Sequence, residues 1–122
     1  MDIHKINDLN NKLTILCNDI EQQKKDFIKY SKDELQIKNI YELKEAKLSL
    51  EYKSLGNPYN ISKPTKEDLE RMIKLELQDL YINLQLAKKQ KEIVIQHYKM
   101  TETQVSTIQS RLSFAKEEMK LL

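Results

Sequence analysis

Side chains able to do covalent or acid–base chemistry are sparse in this chain and stand far apart. His4 and His97 are the only histidines, and Cys17 is the only cysteine. Nucleophilic or general acid–base catalysis needs a nucleophile beside a base that a third group orients, and no segment gathers such a set. A single cysteine excludes an internal disulfide and a multi-cysteine zinc site. Gly56 is the single glycine, so no glycine-rich phosphate loop exists. The pairing derived below puts His4 near Glu117 and Glu118, a helix-surface neighbourhood rather than a metal site, and His97 beside Gln96 and Tyr98. The acidic residues interleave with lysine at helical spacing, as on solvated helix faces. The expectation is a protein that is not an enzyme, with no cofactor, metal or small-molecule substrate.

What remains is recognition by surfaces, and the elements that would carry it are legible. From Ile73, alternating steps of four and three residues meet Leu77, Leu80, Leu84, Ala87, Lys91, Val94, Tyr98, Thr101, Val105, Ile108, Leu112, Ala115, Met119 and Leu122. All but Lys91 and Thr101 are apolar or tyrosine. A seven-residue repeat held this long marks a supercoiled helix. A first arm carries the same repeat in Ile6, Leu9, Leu13, Leu16, Ile20, Gln23, Phe27 and Tyr30, and continues more loosely through Glu34, Ile37, Tyr41, Lys44, Leu48 and Leu55. Ser31 and Glu34 have capping-box spacing, so this arm either restarts near Ser31 or runs straight through.

Between the arms, residues 56–65 read as a loop. Gly56 suits the residue after a helix end, and Pro58 and Pro64 forbid helix continuation. Thr65 then caps a second arm whose first turn carries Glu67, Asp68 and Glu70, favourable at a positive helix N-terminus. The predicted fold is all-α: one domain, 1–122, a long antiparallel helical hairpin (coiled coil) packed into a higher-order bundle, with arms of about 2–55 and 66–121. Folding back near residue 60 pairs Ile6 with Ala115, Leu9 with Leu112, Leu13 with Ile108, Phe27 with Val94, Ile37 with Leu84, Tyr41 with Leu80 and Leu48 with Ile73. Mid-hairpin the seam turns polar, with Gln23 opposite Tyr98 and Ile20 opposite Thr101. Polar core residues of this kind fix register at a cost in stability.

The second arm has more apolar residues than one seam uses. Met72, Leu75, Ile82, Leu86, Ile93, Met100, Phe114 and Leu121 fall mainly in one heptad column, about 130° around the helix from the seam. Two apolar stripes on one helix call for two neighbours. The second neighbour is another copy of the chain, a different protein, or, if the first arm breaks at Ser31, its own halves in a three-helix bundle. The loop supplies a further candidate recognition surface in Tyr59 and Ile61.

Formal net charge is +2, too small to name a polyanionic partner, and only Arg71 and Arg111 among the 21 basic residues are arginine. Seven lysines nevertheless collect mid-hairpin in the pairing above: Lys24, Lys25, Lys29 and Lys32 opposite Lys88, Lys89 and Lys91. They form the alternative site, a patch for nucleic-acid backbone without sequence preference. Mean hydropathy is −0.68, no apolar run reaches membrane-spanning length, and Asp2, Asp8 and Asp19 interrupt any signal-peptide core. A soluble, cytoplasmic chain is expected.

The stretch from Tyr41 to Phe114 resembles uncharacterised small coiled-coil accessory proteins of bacteriophage and mobile-element gene cassettes. In these a Lys/Leu-rich helix, here Glu45-Ala46-Lys47-Leu48, leads through an Asn-containing loop into a Glu/Arg start, here Glu67 to Arg71, and then a long coiled coil. Secreted helical hairpins with a Trp-x-Gly turn have similar length, but this chain has no tryptophan. The resemblance implies a small non-enzymatic factor near DNA replication, recombination or host defence, such as an inhibitor of a host nuclease or defence complex. It carries over no functional residue.

Overall fold

A computed structural model describes residues 3–121. The described chain is three helices in order, α1 (Ile3–Ser54), α2 (Lys66–Glu76) and α3 (Gln78–Leu121), with no strand among the described residues. α1 runs unbroken through Ser31. This removes the three-helix arrangement in which a broken first arm covers both stripes. The chain forms two units: the described residues up to Lys29 with those from Lys91 onward, and Tyr30–Gln90.

In the first unit, Ile6 and Leu9 of α1 are buried with Ile108, Leu112 and Ala115 of α3, and Leu13 and Leu16 pack onto them. Rising numbers on α1 meet falling numbers on α3, as in an antiparallel hairpin. Each contributing residue sits on a seven-residue seam, since only that period keeps one stripe facing a supercoiled neighbour. Ala115 has no exposed surface, so a small side chain at this layer lets the two backbones approach. Further along, the Gln23 amide Nε2 donates to Thr101 Oγ1 at 2.9 Å, and Thr101 Oγ1 donates to the His97 carbonyl at 2.9 Å. Gln23 thus reaches Thr101 rather than the expected Tyr98, whose hydroxyl is engaged by Glu102.

The second unit pairs the later part of α1 with α2 and the start of α3. Tyr52, Leu69, Met72, Ile73 and Leu77 form its core, with Tyr41, Leu48 and Leu80 packed against it. The Tyr41 and Tyr81 rings lie 6.2 Å apart at a tilt of 52°, within the range of favourable aromatic pairs. Burial raises the phenol pKa values of both Tyr41 and Tyr52, and nearby carboxylates (Glu45 for the first, Glu76 and Glu51 for the second) push the same way.

Several expectations are corrected here. The second arm is divided at Leu77 (φ −99°, ψ 21°), although Leu77 N still bonds to Ile73 O and Tyr81 N to Leu77 O. α2 buries Leu69, Met72 and Ile73, with Leu77 buried just past its end, a straight-helix face of period 3.6, whereas α3 follows the heptad seam. The two phases meet at Leu77. Met72, expected on the outer stripe, is therefore 2% exposed in the core. For the same reason Tyr52 is buried on α1, while the expected seam residue Leu55 is 85% exposed beyond the helix end. Met119, an expected seam residue, is exposed. Leu122, the last expected seam position, lies outside the described residues.

The loop is built by local hydrogen bonds. The Gly56 N–H reaches Glu51 O past the helix end, with Gly56 at φ +125°, a backbone region that β-carbons disfavour. Asn57 Oδ1 accepts from the Tyr59 and Ile61 N–H groups, and its Nδ2 donates to Ile61 O. Thr65 closes the segment with a capping box: its Oγ1 accepts from Asp68 N, and its N–H donates to Asp68 Oδ2. The backbone and side chain of Thr65, with help from Arg71, hold the Asp68 carboxyl below its ordinary pKa of 3.8.

Thr65→Ala is expected to lower unfolding free energy by about 1 kcal/mol, read from the urea midpoint at neutral pH. Because the folded pKa of Asp68 is depressed, its contribution is complete above the ordinary carboxylate value and is lost as pH falls through the folded one. The stability difference between wild type and Asp68→Asn should therefore shrink on acidification through that window. A difference that does not change with pH would exclude the capping carboxylate as its source.

Candidate interaction surface

α2 and α3 carry apolar side chains that their own hairpin leaves in water. In the Tyr30–Gln90 unit these are Leu75 on α2 and Ile82 and Leu86 on α3. In the other unit they are Ile93, Met100 and Phe114, the last two 63% and 65% exposed. Leu86, Ile93, Met100, Thr107, Phe114 and Leu121 follow one another at strict seven-residue intervals. Thr107 bridges the row because its hydroxyl is engaged by the Thr103 carbonyl at 3.0 Å and so is satisfied within the helix. Rows of large apolar side chains this long are rare on surfaces that stay solvated. Of the predicted set, Leu75, Ile82, Leu86, Ile93, Met100 and Phe114 are exposed, and Met72 is not.

An apolar groove of about 380 Å³ lies in the first unit, lined by Phe27, Ile28, Val94, Ile95 and Tyr98 with the stems of Gln23 and Lys24. Sequence reasoning missed Ile28 and Ile95 here. The signal was present: Phe27-Ile28 and Val94-Ile95 are adjacent apolar pairs on the two arms, and a seam takes only one residue from each. The Gln23 Oε1 at its edge is buried with no protein hydrogen-bond partner. The Tyr98 phenol pKa is raised, chiefly by its hydrogen bond to Glu102, so the hydroxyl stays protonated and donating at neutral pH. A larger open cleft, about 730 Å³, lies in the second unit between α1 and α2, where Glu45 and Glu70 alternate with Lys53, Lys66 and Lys74. Its charges offset one another but for one lysine.

The seven predicted lysines divide between the units: Lys24, Lys25, Lys29 and Lys91 in one, Lys32, Lys88 and Lys89 in the other. Lys24 Nζ is 3.9 Å from Glu21, and Lys91 Nζ lies 5.6 Å from the centre of the Phe27 ring. In the loop, Tyr59 is exposed and Ile61 half-buried, with both backbones tied to Asn57. Among the described residues, no group of three or more His, Cys, Asp or Glu side chains is placed to hold a metal ion, and no helix is long and apolar enough to cross a membrane. No protein-family model, curated protein or solved structure matches the chain.

The Gln23–Thr101 layer makes a separable prediction. Thr101 is buried, so Thr101→Val alone strands the Gln23 amide and should cost about 1–3 kcal/mol. Gln23→Leu with Thr101→Val replaces both partners by apolar groups and should recover most of that loss. Additive losses in the double-mutant cycle would show that the two side chains do not act as a pair.

Proposed function

We propose that this protein is a non-catalytic helical interaction protein, which self-associates and binds a protein partner through apolar side chains carried outside its hairpin seam. The observation that supports this reading is the α3 row of the first unit, where Ile93, Met100 and Phe114 keep heptad spacing yet remain exposed. A helix whose second apolar stripe repeats every seven residues is shaped for another helix. Cys17 is a free, exposed thiol, which suits the reducing cytoplasm. The Tyr41–Phe114 resemblance adds the proposal that the protein serves as a phage or mobile-element accessory factor, its partner belonging to a host nuclease or defence complex.

The test is affinity capture from native lysate with and without nuclease, repeated with Leu86→Glu/Met100→Glu. A stoichiometric protein is expected that survives nuclease and is lost or sharply reduced in the variant. Recovery confined to nucleic-acid-associated proteins, abolished by nuclease, would overturn the reading in favour of a lysine-mediated nucleic-acid contact.

A further inference from the structure

We infer that the groove between α1 and α3 in the first unit docks an acidic amphipathic helix of a protein partner. This rests on the partner binding proposed above and names the chemistry of the partner segment. The groove has two stretches, of about 480 and 390 Å³, which share Lys12 and Arg111 as walls. It extends from Lys5 to Leu16 on α1, about 17 Å at 1.5 Å per residue. Phe114, 65% exposed, stands at one end, and Ile15, 61% exposed, at the other. Leu9, Leu16 and Ile108 of the seam line it between them.

Charge decides what fits. Lys5, Lys12 and Arg111 line the groove with a single carboxylate, Asp8. Neither Lys12 nor Arg111 forms an ion pair among the described residues. Covering them with apolar surface alone would strip water from two unpaired cations, a loss that apolar contact does not repay. An occupant therefore brings carboxylates to Lys12 and Arg111 and apolar side chains to Ile15 and Phe114. Arg111 is one of only two arginines in the chain, and a guanidinium fork grips a carboxylate with two parallel hydrogen bonds. A second copy docking here through its own groove would set these cations against themselves. A phosphate backbone would answer the cations but give Ile15 and Phe114 nothing to bury against. The trough between two antiparallel helices takes a third helix along its length. Such a helix satisfies its own backbone hydrogen bonds, which helical walls do not do for an extended chain.

The experiment is fluorescence anisotropy of two labelled synthetic peptides, each of about 21 residues or three heptads, titrated with the full chain. Both carry leucine at the first and fourth heptad positions, and the flanking positions are glutamate in one and lysine in the other. Wild type should bind the glutamate peptide and not the lysine peptide, and should bind it more weakly as salt rises. Lys12→Glu/Arg111→Glu should weaken that binding at least about tenfold and transfer preference to the lysine peptide. Circular dichroism should show its helicity unchanged, because both side chains are exposed. Lys24→Glu/Lys25→Glu, the same change of charge away from the shared wall, should leave the glutamate peptide bound as in wild type. Binding of neither peptide, equal binding of both, or equal loss in the two double variants would overturn the assignment. Tighter binding of a short DNA duplex, lost in Lys12→Glu/Arg111→Glu, would give the groove to phosphate instead. Lysate capture separates this inference from the proposed function. A partner lost in Leu86→Glu/Met100→Glu but retained in Lys12→Glu/Arg111→Glu would leave that function standing and overturn the groove as its site.

Discussion

The structure depends on one geometric constraint: two helices in contact bury only one narrow stripe of each. A 3.6-residue helix drifts against a neighbour unless its apolar side chains recur every 3.5 residues and the pair supercoils. Ile6, Leu9, Leu13 and Leu16 on α1 and Ile108, Leu112 and Ala115 on α3 meet that condition in the first unit. The rest follows from how little such a stripe covers. The lysines and carboxylates on the remaining faces keep the helices hydrated, and ion pairs such as Glu21 with Lys24, Lys38 with Glu42 and Glu117 with Lys120 are local helical pairs on exposed side chains. Each of these contributes little to stability. The seam carries the fold.

A uniform apolar seam would leave register underdetermined, since sliding by one heptad matches leucine to leucine again. The Gln23–Thr101 layer breaks that degeneracy. Its hydrogen bond forms only when these two residues meet, and a slipped register would deprive the Gln23 amide of its acceptor, while Thr101 would keep its bond to the His97 carbonyl. The loop works to the same end from the other side. Asn57 ties the loop backbone, and the Thr65–Asp68 box fixes where α2 begins, so the two arms enter the hairpin at defined positions. Local capping in one unit and a long-range polar layer in the other each restrict the pairing within their own unit.

How much of this could be seen in the sequence depends on period. Where the heptad is strict, as from Ile6 to Gln23 and from Leu80 to Ala115, pattern alone located the buried side chains. It failed where the period changes. Near the loop α1 buries Tyr52 instead of Leu55, and α2 turns Met72 inward, because a short helix packed beside a loop follows the 3.6-residue face rather than the seam. Nothing in the local sequence announces the break at Leu77: no glycine or proline stands there, and the conflict of phase exists only once both neighbours are in place. The groove at Ile28 and Ile95 is an intermediate case, legible as doubled apolar residues but only when the two arms are aligned.

The proposed recognition surface is harder to read because its chemistry is generic. Catalytic or metal sites announce themselves through scarce residue types in fixed geometry. An apolar heptad row announces only that another helix fits. What distinguishes α3 is that the two demands on it are separable around its circumference. Leu84, Ala87, Ile108 and Leu112 are buried by the hairpin, whereas Leu86, Ile93, Met100 and Phe114 stand outside it. A substitution in the first set removes core packing and acts on folding, whereas one in the second leaves the folded chain's own contacts nearly intact. Stability alone therefore gives no reason for large apolar side chains at the second set, where Lys or Glu would keep the helix equally well formed and more soluble. The proposed interaction face rests on their exposure and their seven-residue period.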